Sequence, residues 1–454
     1  MLNFQSTAPA VSVPELADTG MSERQQLEFT RFRLWRVLIP ICVWYSFFYL
    51  GRLNWGFCLP WIIKDLGISK LTAGSIDTVM LWSYAASALL SGRTSDKVGG
   101  RVMQLIGGVA STAFNVAISL QTSLAAITLF SAFNGAAQGS VSAPTAGMIS
   151  QWYPRSRRGR AIGAYIASVS VAVLIVWLIT GYTVSNFGWR AAFAWPPVLF
   201  VLTTTIALWL MARDRPEDVG LKPYIEATSA DSIVTDGARR DDLVGRKAWI
   251  VLLRNPRFVA MCCSSFTQYI ARYGLLTWVP LYYAETAGVQ LKAVPAMTIM
   301  LPIGMIFGPL LAGVLSDTLF AARRFPAVII CFLGLIFVVC VIAYIPIREM
   351  GLPVAVLLQF LAGLFTLGLN GCFWAWSSDF GGRKLAGTAA GVLNFFNYAG
   401  AGIQGALIGG ILTYSGGNWT LVFSTIASLL VIGGGLSWFA RERQAVPASR
   451  CGGL

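Results

Sequence analysis

Apolar stretches of about twenty residues recur along nearly the whole chain, each long enough to cross a bilayer as a helix. Twelve can be delimited: 37–58, 73–92, 102–120, 124–149, 161–183, 191–212, 258–284, 294–316, 326–346, 352–377, 386–414 and 418–439. The pattern predicts an all-α integral membrane protein with twelve transmembrane helices. Composition agrees, since 56% of the 454 residues are hydrophobic and only 12% are charged, which excludes an ordinary water-soluble protein. Residues 1–36 precede the first span without a cleavable-signal pattern, so that span is expected to act as its own uncleaved insertion signal.

A net charge of +14 invites a nucleic-acid partner, but the placement of the basic residues rejects one. With both termini in the cytoplasm, only Lys64, Lys70, Arg190, Lys292 and Arg348 fall outside, and only Arg52 and Arg272 fall within spans. The rest are cytoplasmic, including Arg155, Arg157, Arg158 and Arg160 in one loop and Arg239, Arg240, Arg246 and Lys247 in another. This is the positive-inside pattern, and it sets the orientation. The chain has no histidine, and its adjacent Cys262 and Cys263 lack zinc-ligand spacing, so no metal or cofactor is expected. No nucleophile–base pairing or phosphate loop points to an enzyme.

The two intramembrane arginines sit in matching surroundings. Tyr49-Leu50-Gly51-Arg52 recurs about 220 residues later as Tyr269-Ile270-Ala271-Arg272. A cation at mid-membrane costs about 2.5–3.5 kcal/mol on insertion scales. That cost persists where a water-filled cavity or an anion offsets it. At i and i+3 the hydroxyl and guanidinium share one helix face, and guanidinium fits phosphate or carboxylate in a bidentate way. Pairing with a buried acid is the structural alternative, but Asp77, Glu285 and Asp379 all fall near predicted span ends.

The repeat extends to the loops. Gly92 to Arg101 after the second span is echoed by Gly313 to Asp317 and Arg323-Arg324 after the eighth, and Arg157 to Gly163 by Arg383 to Gly387. Two six-helix halves related by duplication are expected, 37–212 and 258–440, with cytoplasmic segments 1–36, 213–257 and 441–454 around them. Residues 227–243 read as a flexible linker.

Twelve spans in two halves, with Gly-x-x-x-Asp-Lys-x-Gly-Gly-Arg at 92–101, resemble the major facilitator superfamily. The resemblance implies that Gly92, Asp96, Lys97 and Arg101, with Asp317 in the second half, lock helix ends on the cytoplasmic face. Within that superfamily the chain resembles the organophosphate:phosphate antiporters. That likeness rests on Tyr49-x-x-Arg52-x-Asn54, Gln138-Gly139, Arg215 to Leu221, Tyr269-x-x-Arg272-Tyr273-Gly274 and Ala386 to Gly391. It implies a central phosphate site formed by Arg52 and Arg272, with Tyr45, Tyr49, Tyr84, Tyr269 and Tyr398 around the cavity. A monomer in a bacterial inner membrane is implied as well. The departures concern specificity: Leu53, Ala88, Pro302, Ala390 and Leu393 stand where relatives in the family place further charged groups, and a span-five histidine is absent.

The expected mechanism is alternating access, with the halves rocking about an anion held by both arginines. The absence of histidine and of a well-buried acid favours anion exchange over proton symport. Asn394, Asn397 and Gln404 on span eleven, and Trp374 on span ten, are candidates for the organic part of the substrate or for helix–helix bonds. An organic carboxylate:proton symporter and a non-transporting receptor for a phosphorylated ligand remain as alternatives.

Overall fold

The computed structural model describes residues 23–153, 155–220, 246–287, 290–320, 324–345, 349 and 351–441. Among them every element is helical. The first span lies within an almost continuous rod made of α1 (Glu23–Phe32), a π-helical turn (Arg33–Leu38), α2 (Ile39–Phe48) and α3 (Leu50–Leu66). The joint is at Tyr49, whose carbonyl accepts the N–H of both Arg52 (2.9 Å) and Leu53 (3.0 Å). Gly67, at φ 61°, stops α3 in the left-handed conformation that only glycine adopts cheaply.

The N-terminal half continues with α4 (Lys70–Val98), α5 (Gly100–Ser119), α6 (Leu124–Gly139) and α7 (Ser142–Trp152). Next, α8 (Arg155–Pro196) supplies two crossings that turn at Gly188 (φ 83°), and α9 (Thr203–Met211) extends the second of them. The C-terminal half holds α10 (Arg246–Leu253), α11 (Pro256–Thr286), α12 (Val294–Thr298), α13 (Met300–Val314) and α14 (Arg324–Tyr344). It ends with α15 (Leu352–Tyr414) and α16 (Trp419–Ala440). The Asn255 and Asn418 side chains cap α11 and α16 by accepting first-turn N–H groups. Contacts show that α15 crosses and returns: Gln359 bonds Met297, Gln268 bonds Thr366, and beyond the turn Tyr398 meets Arg52 and Thr413 meets Leu71.

Eight described helices are long and apolar enough to cross a membrane. One of these, Gly163–Met211, contains two predicted spans. The helices α4, α11 and the broken pair α6–α7 fall short of that measure for a physical reason. They turn polar groups inward, and α6–α7 is interrupted at Ser140 and Val141. Leu90, Leu310, Leu333, Phe337 and Trp195 are exposed on the outside, as befits a lipid-facing surface, while Asn54, Asn115, Asn134, Gln138, Gln268 and Asn397 are buried.

The halves meet most closely where α4 crosses α15. A Cβ built on Gly74 would stand 2.0 Å from the Gly405 carbonyl oxygen, and one on Gly405 would stand 2.2 Å from that of Gly74. Only paired glycines permit this approach. Nearby, Lys70 pairs with Glu285 (2.7 Å), and Trp177 donates to Thr298 (3.1 Å). Among the described residues, every hydrogen bond between the halves lies at the level of Arg52 or toward Lys70. The wall on the Lys70 side, opposite the face where Glu23 and Arg441 lie, is therefore closed.

Candidate functional site

The site begins with a polar network inside the N-terminal half. Asn134 and Gln138, one turn apart on α6, face Ser111 and Asn115 on α5 and the Gly51 carbonyl on α3. Asn134 donates to Gly51 O (2.7 Å), and Asn115 donates to Gly51 O (3.2 Å) and accepts from Asn54 (2.8 Å). Gln138 donates to Ser111 Oγ (2.8 Å) and Phe48 O (3.2 Å). Its carbonyl oxygen is then free to accept both Arg52 Nε (3.2 Å) and Nη2 (3.1 Å). Arg52 is 2% exposed and lies between the ring faces of Tyr49 (4.3 Å) and Tyr84 (4.5 Å). Desolvated cation–π contacts of this kind contribute about 2 kcal/mol.

The third donor of Arg52 crosses to the other half: Nη1 donates to the Tyr398 phenol oxygen at 2.9 Å. The Tyr398 ring stacks on Tyr84, with centroids 3.9 Å apart, and meets Tyr269 and Tyr273 edge-on at 5.8 and 5.9 Å. Arg272, 3% exposed, lies over Tyr269 (5.2 Å) and Tyr273 (5.6 Å). Its buried Nε has no hydrogen-bond partner. Thr366 and Asn370 on α15 repeat the one-turn spacing of Asn134 and Gln138, yet Asn370 accepts from the Tyr269 hydroxyl (2.9 Å) instead of from the arginine. Among the described residues neither guanidinium pairs with a carboxylate. Two buried cations, one from each half, thus face one tyrosine-lined centre.

The structure thus brings Arg52, Arg272, Tyr49, Tyr84, Tyr269 and Tyr398 together. Tyr45 stands one step back, packed against Tyr49 (5.4 Å) and Tyr165 (4.6 Å). Asn394 is half-buried on α15. Asn397 is fully buried and accepts from Ser265 (2.6 Å), a bond between helices. Trp374 hydrogen-bonds the Tyr269 hydroxyl. Gln404 is not at the centre: it donates to Asp77 (2.7 Å) and accepts from Trp278 (2.9 Å) inside the closed wall.

Asp77 corrects the expectation that the spans lack a buried acid. It is 4% exposed and also accepts from Thr277 (3.3 Å), so one carboxyl from the first half is held by two helices of the second. The helix begins at Lys70, so Asp77 lies two turns inside it and not one turn from the end assumed. Of the predicted locking residues, Arg101 is tied within its own half, by its N–H to Asp214 (2.8 Å) and its side chain to the Trp209 carbonyl (2.8 Å). The side chains of Gly92, Asp96, Lys97 and Asp317 lie outside the described residues. The sequence reading missed Tyr273, Asn370 and the clamping role of Gln138. The repeated polar pair, one turn apart in otherwise apolar spans, was the available signal.

The Major Facilitator Superfamily profile matches residues 41–405. A relative from Chlamydia muridarum, named "Probable hexose phosphate transport protein", is 28% identical over 415 residues, covering 88% of this chain and 89% of its own. "Membrane sensor protein UhpC" of Salmonella typhimurium is 27% identical, covering 87% of this chain and 89% of its own. Among solved structures, a bacterial homologue of the human lysosomal transporter Spinster, inward-facing and unoccupied, superposes with a TM-score of 0.71 at 17% identity. It covers 94% of this chain and 100% of that one, and the likeness speaks to the fold.

Proposed function

This chain belongs to the Major Facilitator Superfamily, and from its central site we propose that it carries a small organic phosphate across the membrane in exchange for inorganic phosphate. The observation that carries this reading is the pair of buried arginines, one from each half, meeting one tyrosine-lined centre with no carboxylate among the described residues to neutralise them. Two like charges in a low-dielectric site repel. An anion between them reverses the sign of that term and draws residues 37–212 toward 258–440. Rocking of the halves about the bound anion then exposes it to either side in turn. The relative named for hexose phosphate transport supports a phosphorylated substrate. The basic loops favour cytoplasmic chain ends by the positive-inside pattern, and a bacterial inner membrane fits the relatives. In this orientation the closed wall faces outward.

A second reading has its own observation. Asp77 is a carboxyl on the moving interface, bonded by Gln404 and Thr277 of the opposite half. It supplies the acid that proton-coupled uptake of an organic anion would need.

Proteoliposomes loaded with phosphate and given radiolabelled phosphate outside test both readings. Wild type is expected to exchange, and Arg52→Ala and Arg272→Ala to fall to background. Uptake driven by an imposed proton gradient, and abolished by Asp77→Asn, would favour the second reading. A folded protein that binds phosphate without exchanging it would be a receptor, as the sensor relative's name suggests for that protein.

A further inference from the structure

We propose that Tyr398 is an internal stand-in for the substrate anion: its phenol oxygen occupies Arg52 in the unloaded protein and must leave before an anion can bind. The inference rests on the reading of the centre as an anion site. Tyr398 belongs to α15 of the second half and Arg52 to α3 of the first. The phenol oxygen accepts from Arg52 Nη1 at 2.9 Å and from the Tyr273 hydroxyl at 3.4 Å. One oxygen is thus served by donors from both halves, which is the arrangement a phosphate oxygen would need in order to hold the halves together.

The other donors of Arg52 single out this contact as the exchangeable one. Nε and Nη2 are committed to Gln138, and through it to Ser111 and Phe48. Replacing those bonds would dismantle a buried network, with each orphaned group bearing its desolvation cost. Replacing the phenol at Nη1 breaks no hydrogen bond within the N-terminal half. An anion is the stronger acceptor, because charge-assisted hydrogen bonds are roughly twice as strong as neutral ones. Arg272, with its buried Nε unpartnered, gives the incoming anion a second anchor. Stacking on Tyr84 at 3.9 Å holds the Tyr398 ring independently of its hydroxyl, so the oxygen can be deleted while the packing stays.

That separation makes the sign of the effect decisive. A hydroxyl that merely contacts substrate would weaken binding when removed, whereas an internal competitor would tighten it. Equilibrium binding of inorganic phosphate to the purified full chain is the measurement, for wild type, Tyr398→Phe and Tyr273→Phe. The competent fraction rises once the competitor is gone, so Tyr398→Phe is expected to bind about threefold to tenfold more tightly. Tyr273→Phe, which removes only the second donor to the same oxygen, is expected to move binding the same way by less. The thermal midpoint of each variant without phosphate establishes that it is folded. Unchanged or weaker binding by Tyr398→Phe, beside a wild type that binds, would overturn the proposal. A folded wild type that does not bind phosphate would instead overturn the anion reading, and this inference with it.

Discussion

Arg52 and Arg272 end the same Tyr-x-x-Arg motif in duplicated halves, but their surroundings treat them differently. Arg52 has three donors committed to Gln138 and Tyr398 and two tyrosine faces pressed against it. Arg272 has tyrosine faces alone and a buried Nε with no acceptor. In the first half α6 supplies Gln138 to the arginine, whereas Asn370 on α15 is shorter by one methylene and is engaged with Tyr269. The two halves share the cation and a polar pair one turn apart, and differ in the hydrogen bonds around the cation. The first half presents a fixed charge, and the second presents one that is able to adapt, which suits the grip and release of an anion proposed above.

The largest expected break in this comparison comes from Gln138→Leu. It strands Arg52 Nε and Nη2, and a buried charge left unsatisfied costs about 3 kcal/mol or more. The equivalent Asn370→Leu removes one neutral acceptor and is expected to cost about 1 kcal/mol. Thermal midpoints of the two purified variants, compared without ligand, check this, and equal losses would erase the asymmetry. Next in size is lysine replacement. Arg52→Lys loses the forked contact to Gln138 and is expected to destabilise the unloaded protein by about 2 kcal/mol, whereas Arg272→Lys is expected to cost less than about 1 kcal/mol. Chemical denaturation of both variants would rank them.

Asn370→Gln sharpens the comparison from the other direction. The added methylene gives the second half the reach of Gln138, so the amide can bond Arg272 and commit its donors. Phosphate affinity is then expected to fall about threefold, read by the same binding measurement, while unloaded stability holds or rises. The smallest effect lies on the outer face of the first half. Trp189 and Arg190 donate to the Asp65 carboxylate and hold it below the usual carboxylate range. A depressed carboxyl stabilises above its unfolded value and loses that contribution as pH falls through its folded one. The loss on acidification is expected to be under about 1 kcal/mol, since the pair is exposed. In Asp65→Asn that component of the pH dependence should vanish from midpoints measured between neutral and acidic pH.

Much of this was legible before any coordinates. The apolar runs require helices, because no other element satisfies its backbone across so many residues in lipid. The repeated motif located both arginines, and the near absence of acids around them pointed to an anion. Asp77 was misjudged because the apolar count placed the start of the span at 73, while the helix begins at Lys70. Of the two roles open to Gln404, substrate contact or helix–helix bond, its height along α15 selects the second, in the closed wall beside Asp77. Periodicity gives the face of a helix but not the depth at which two helices meet.

The sequence by itself determined the fold class, the two halves and the central cations, since each follows from hydrophobic length or from the expense of burying charge. The tertiary structure alone decided which arginine is fixed, that Tyr398 reaches it across the halves, and which wall is closed. Those outcomes depend on the register between helices distant in the chain. A single methylene, or the reciprocal approach of Gly74 and Gly405, sets that register to within ångströms, and no local pattern encodes it.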